Sequence, residues 1–116
     1  MDTIKMDLPS NPQYLQMLRL TTASLANSMG FDIERIEDTK VVVSEIFTYL
    51  IVDNNRINVE FNLYDNSLNI NFMIESPYNT NNFNDVDLEL KKQILLSLAD
   101  DINFEDNEIR VVINKA

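Results

Sequence analysis

The 116-residue chain contains no cysteine, histidine or tryptophan, and it has one glycine and three prolines. Without cysteine there is no disulfide framework and no thiolate zinc site; without histidine there is no Ser-His-Asp triad or Cys-His dyad. The lone Gly30 is equally restrictive, because loops that wrap phosphates use residues without a Cβ to let the backbone approach the ligand. A complete glycine-rich nucleotide loop is therefore not expected. Cations are scarce too. Nine Lys and Arg stand against nineteen Asp and Glu, a formal charge of −10 that repels phosphate backbones and anionic lipid headgroups. Nucleic-acid and membrane partners are accordingly not expected. Long apolar runs are also missing: the stretch from Ile46 to Val52 is interrupted by Thr48 and Tyr49 and falls far short of the roughly 20 residues that span a bilayer. The opening Met1-Asp2-Thr3-Ile4-Lys5 lacks the apolar stretch of a signal peptide, so a cytoplasmic location is expected.

What is present suits one folded core. Hydrophobic residues make up 45% of the chain and charged residues 24%, which excludes a disordered or low-complexity protein, and the length fits a single domain over residues 1–116. Ile4, Met6 and Leu8 alternate with Lys5 and Asp7, predicting a first strand over 3–8. Pro9-Ser10-Asn11-Pro12 breaks the chain and opens a helix over 12–29, in which Leu15, Leu18, Leu25, Ala26 and Met29 recur at helical spacing before Gly30 stops it. Asp32 is placed to cap a second helix with Ile36, Val43, Phe47 and Leu50 on one stripe; the local strand preference of Val41-Val42-Val43 is overruled by that period.

The clearest pattern is a hairpin. Ile57, Val59, Phe61 and Leu63 alternate with polar residues, and after the Asp65-Asn66 turn Leu68, Ile70, Phe72 and Ile74 do the same. The polar stretch 77–84 reads as a loop, 86–99 returns to helical spacing, and 108–114 closes with a strand. The order β-α-α-β-β-α-β predicts an α/β two-layer sandwich: a four-stranded, mostly antiparallel sheet covered on one face by three helices.

The second helix carries Glu37-Asp38-Thr39-Lys40-Val41-Val42-Val43-Ser44-Glu45-Ile46-Phe47-Thr48-Tyr49. This string resembles the N-box helix of the anti-sigma-factor serine kinases, members of the histidine-kinase-like (GHKL) ATPase superfamily. Upstream, Leu18-Arg19-Leu20-Thr21-Thr22-Ala23 is similar to that family's first-helix segment, and Met29-Gly30-Phe31 keeps its helix-turn-helix spacing. The resemblance covers about the first half of the chain and implies the histidine-kinase-like scaffold.

It also implies a site, which this sequence matches incompletely. The family's base corresponds to Glu45, but its magnesium-holding Asn falls on Tyr49, whose ring is expected to fill the vacated space; its adenine-binding Asp falls on Ile74, and two glycines fall on Ser76 and Tyr78. The expectation drawn from these departures is a chain that is no enzyme, has no cofactor or metal, and retains Glu45 as a relic base. Partner binding would then carry the function. In the resembling kinases the Arg at the position of Arg19 lies on the surface that binds the sigma factor or the anti-anti-sigma (STAS) protein, and Leu15 and Gln16 share its face. The resemblance thus points to a bacterial transcription regulator acting by partner switching, and a homodimer pairing through the edge strand 3–8 is expected. An active serine kinase with unusual nucleotide geometry and a structural self-association module are the alternatives. The acidic clusters Asp85-Asp87-Glu89, Asp100-Asp101 and Glu105-Asp106 lack the spacing of a calcium loop and read as solvated surface.

Overall fold

The computed structural model describes residues 1–75 and 85–115. The chain begins with β1 (Asp2–Pro9) and a 3-10 turn (Pro12–Tyr14), followed by α1 (Leu15–Ser28) and α2 (Ile33–Leu50). The hairpin β2 (Arg56–Leu63) and β3 (Ser67–Ile74) comes next, then α3 (Asp85–Leu98) and a second hairpin, β4 (Asp101–Glu105) and β5 (Glu108–Asn114). The sheet has five strands in the order β1-β2-β3-β5-β4, and every neighbouring pair is antiparallel.

The expected four strands are therefore corrected to five. The extra one, β4, has just two apolar side chains, Ile102 and Phe104, set among acidic and Asn residues of low strand preference. Its register with β5 supplies what local sequence does not: Ile102 lies opposite Val111 and Phe104 opposite Ile109.

Local chemistry explains the helix ends. Asn11 accepts from the Gln13 N–H at 3.0 Å, so the predicted first helix opens as a tight 3-10 turn before α1 proper. At its other end Gly30 has φ +86°, and the N–H groups of Gly30 and Phe31 donate to the carbonyls of Asn27 and Ala26, both at 3.0 Å. This pair of bonds satisfies carbonyls that the helix leaves free, while buried Phe31 packs into the core. Gly30→Ala forces a Cβ into the left-handed region and should cost about 1–2 kcal/mol, read as a lower urea midpoint with an unchanged slope. Asp32 caps α2, accepting from the Arg35 N–H at 2.8 Å.

All three helices lie on one face of the sheet. From α2, Val42, Val43, Ile46, Phe47 and Leu50 are buried against sheet residues such as Phe61, Ile70, Phe72 and Val111. Buried Thr22 and Thr39 satisfy their hydroxyls by donating to the carbonyls one turn back, Leu18 and Arg35. The opposite sheet face is polar and rich in Asn. No described helix is long and apolar enough to cross a membrane.

Candidate functional site

Two regions gather the residues singled out from the sequence. The first is a cleft of about 560 Å³ between α2, α3 and the β4–β5 hairpin, within the size range of small-molecule sites. Glu45 and Tyr49, one turn apart on α2, stand along one wall; Ile94 and Leu95 of α3 and Phe104 and Ile109 of the second hairpin supply much of the rest. Glu45 is exposed and has no ion pair among the described residues. Lys92 lies over the Phe104 ring, its Nζ 4.9 Å from the centroid, a cation-π contact at the edge of the cleft.

One expectation for this region needs correction. Tyr49 is half-buried and walls the cleft without filling it, because its ring packs back on the core while the space beside it stays open. Ile74, at the position of the family's adenine-binding Asp, is the last residue of β3 and its side chain is buried in the core, 7% exposed, on the apolar face the hairpin alternation predicts. Ser76 and Tyr78 lie outside the described residues. The described lining offers a magnesium triphosphate one carboxylate, Glu45, and two ammonium groups, Lys91 and Lys92, in an otherwise apolar wall. Among the described residues no three acidic, His or Cys side chains converge, so this lining does not fit a magnesium ion held by protein side chains. Asp100, in one of the acidic clusters, instead pairs with Arg35 at 3.2 Å and accepts from the Asn114 N–H at 2.6 Å.

The second region is the outward face of α1. Arg35, Arg56 and Arg110 each hold a carboxylate at 2.9–3.2 Å, from Asp100, Asp7 and Glu108. The hydrogen bond and charge of Glu108 raise the Arg110 guanidinium above its ordinary range. Arg19 differs: among the described residues it has no ion pair, and its Nε is buried with no acceptor. Gln16 is exposed beside it, whereas Arg19 and Leu15 are both half-buried and Leu15 packs on the core, so α1 presents Gln16 and part of the Arg19 side chain outward and sends Leu15 largely inward.

Sequence reasoning missed Met17 and Leu20, which are 49% and 58% exposed on the same helix. The signal was available, since both fall off the stripe through Leu18, Thr22 and Ala26 that α1 buries.

No family model matches the chain. Serine-protein kinase RsbW of Oceanobacillus iheyensis is 40% identical over 75 residues, covering 60% of this chain and 48% of the relative. The proteins of the same name from Bacillus thuringiensis and Bacillus cereus are 38% identical over 74 residues, covering 60% of this chain and 46% of theirs. The chain thus spans about half the length of the curated relatives it matches. Among solved structures, the RsbU and RsbW domains of Rv1364c from Mycobacterium tuberculosis superpose on 98% of this chain and 32% of that one, with a TM-score of 0.69 at 11% identity, which speaks for the fold.

These relatives overturn the expectation that the chain is no enzyme. The matching proteins are named kinases, and substitutions at Tyr49 and Ile74 do not by themselves show inactivity. The resemblance to the anti-sigma-factor serine kinases is borne out: over the matched residues, about 60% of its length, the chain is a homologue of proteins named serine-protein kinase RsbW.

Proposed function

We propose that the chain is a regulatory protein that holds a sigma factor or an anti-anti-sigma (STAS) domain on the exposed face of α1 around Arg19. The observation that carries this reading is the state of Arg19, whose guanidinium has no carboxylate among the described residues and whose Nε is buried without an acceptor. A partner's carboxylate would pair with the planar guanidinium through its terminal N–H groups. Elsewhere on the surface of α1, Met17 and Leu20, one turn apart, supply exposed apolar area. On a protein of net charge −10, an arginine with no carboxylate among the described residues draws a partner's acidic group to one place.

In this reading residues 1–116 act as one domain, the chain works in the cytoplasm where sigma factors do, and a second copy of the chain is a further partner through the free edge of β1. The test is capture of a sigma factor or a STAS protein by the wild-type chain and by Arg19→Glu. Recovery by the wild type alone supports the α1 face, and equal recovery by both sinks it.

The names of the relatives favour a second reading, ATP-dependent phosphorylation of a serine on the bound protein, with Glu45 at the cleft as the residue in the position of the base. Transfer of labelled γ-phosphate to a partner serine, lost in Glu45→Ala, supports it. A complex that forms without transfer leaves binding as the role.

A further inference from the structure

We propose that the free edge of β4 takes up an extended, basic segment of another protein as a sixth strand, with its Lys or Arg side chains set against Asp101 and Glu105. Among the described residues β4 pairs with β5 alone, from Asp101 opposite Val112 to Glu105 opposite Glu108. Its outer side therefore presents backbone N–H and C=O groups with no ladder partner, the template on which an extended peptide adds to a sheet. The two faces of the strand differ. Ile102 and Phe104 point to the helix side, and Lys92 of α3 lies over the Phe104 ring, its Nζ 4.9 Å from the centroid. One turn along α3 from Lys92, Leu96 falls on the same side of the helix and is 45% exposed, an apolar overhang above the edge of β4. The other face carries Asp101, Asn103 and Glu105, all exposed.

Charge selects the occupant. Asp101 and Glu105 have no ion pair among the described residues, whereas Arg110, opposite Asn103 on β5, is held by Glu108 at 3.2 Å. A second copy of this chain added antiparallel about Asn103 would set Asp101 against Glu105 at two symmetric places, so self-pairing here is repelled. A basic strand is attracted at the same two places. Because the two carboxylates are four residues apart on a strand whose side chains alternate, the fitting segment has Lys or Arg at the same spacing. Its residues next to each cation are apolar and face α3, meeting Ile102, Phe104 and Leu96, and its central residue is small and neutral, because Arg110 stands behind Asn103. The net charge of −10 attracts basic segments at long range, and this alternation places them.

Titration of the isotope-labelled full chain with the end-capped peptide Lys-Val-Thr-Val-Lys, followed through amide NMR shifts, tests the proposal. The peptide reads the same in both directions, so either strand polarity gives the same pairs. Shifts confined chiefly to residues 101–105 and to α3 around Leu96 are expected. Val-Lys-Thr-Lys-Val has the same composition with its charged and apolar side chains exchanged between faces, cannot reach both carboxylates, and should bind at least roughly tenfold more weakly. The double variant Asp101→Lys with Glu105→Lys should lose Lys-Val-Thr-Val-Lys and take up Glu-Val-Thr-Val-Glu, a gain that a folding defect does not produce. Asp2→Lys with Glu34→Lys makes the same change in net charge at two exposed residues away from this edge, and should bind Lys-Val-Thr-Val-Lys within about threefold of the wild type. Equal binding of the two basic peptides, equal loss in the two double variants, no uptake of the acidic peptide, shifts centred on the cleft walls or spread over the surface, or no binding at all would each overturn it. Every variant leaves α1 intact, so capture of a partner at Arg19 is scored separately.

Discussion

Arg19→Glu should abolish recovery of the sigma factor or STAS partner, weakening the complex by about 3 kcal/mol or more, over a hundredfold in affinity. The substitution removes the guanidinium that has no carboxylate among the described residues and puts a negative charge where the partner's acidic group would sit. The fold itself should tolerate it. Arg19 has no ion pair to lose among the described residues, so urea unfolding should move by no more than about 0.5 kcal/mol. Leu20→Ala, at a residue 58% exposed, should likewise leave stability nearly unchanged while weakening the complex by roughly 1 kcal/mol. Titration calorimetry with the captured partner reads both values. Equal affinity of wild type and Arg19→Glu would remove the α1 face from the account.

The largest effect on stability is expected at Phe72→Ala. Phe72 is fully buried on β3, the middle strand of the sheet, opposite Val59 of β2 and Ile109 of β5. Truncation removes an aromatic side chain from a site held on both sides by ladder neighbours, so the cavity has little room to collapse, and the cost should be about 3–5 kcal/mol. Against a total of about 5–15 kcal/mol for a domain, that loss brings the protein near its unfolding threshold. Urea denaturation should show a markedly lower midpoint. A loss under about 1 kcal/mol would mean that this part of the sheet is not the core described above.

Much of the scaffold was legible because its period is strong. The β2–β3 hairpin alternates over both strands with Met73 the one apolar residue out of step, and the Asp32 cap together with the stripe through Val43, Phe47 and Leu50 defines α2 in spite of three consecutive valines. β4 was not legible, since two apolar residues do not make a period and its place is fixed by pairing with β5. The cleft was hidden for a similar reason: Glu45, Leu95 and Phe104 come together from three elements far apart in sequence. The expectation of no enzyme rested on missing side chains at single positions, and such absences do not decide activity when the cleft beside Glu45 persists and the relatives are named kinases. Arg19 was found through its motif. Its decisive property, a guanidinium without an ion pair among the described residues while the other arginines are paired, needed the structure.

The most direct test is amide hydrogen exchange on the chain alone and in complex with the captured sigma factor or STAS protein. Slowed exchange confined chiefly to α1, around Gln16 to Leu20, is the predicted result. Protection of the cleft walls on α2 and α3, with α1 unchanged, would contradict it.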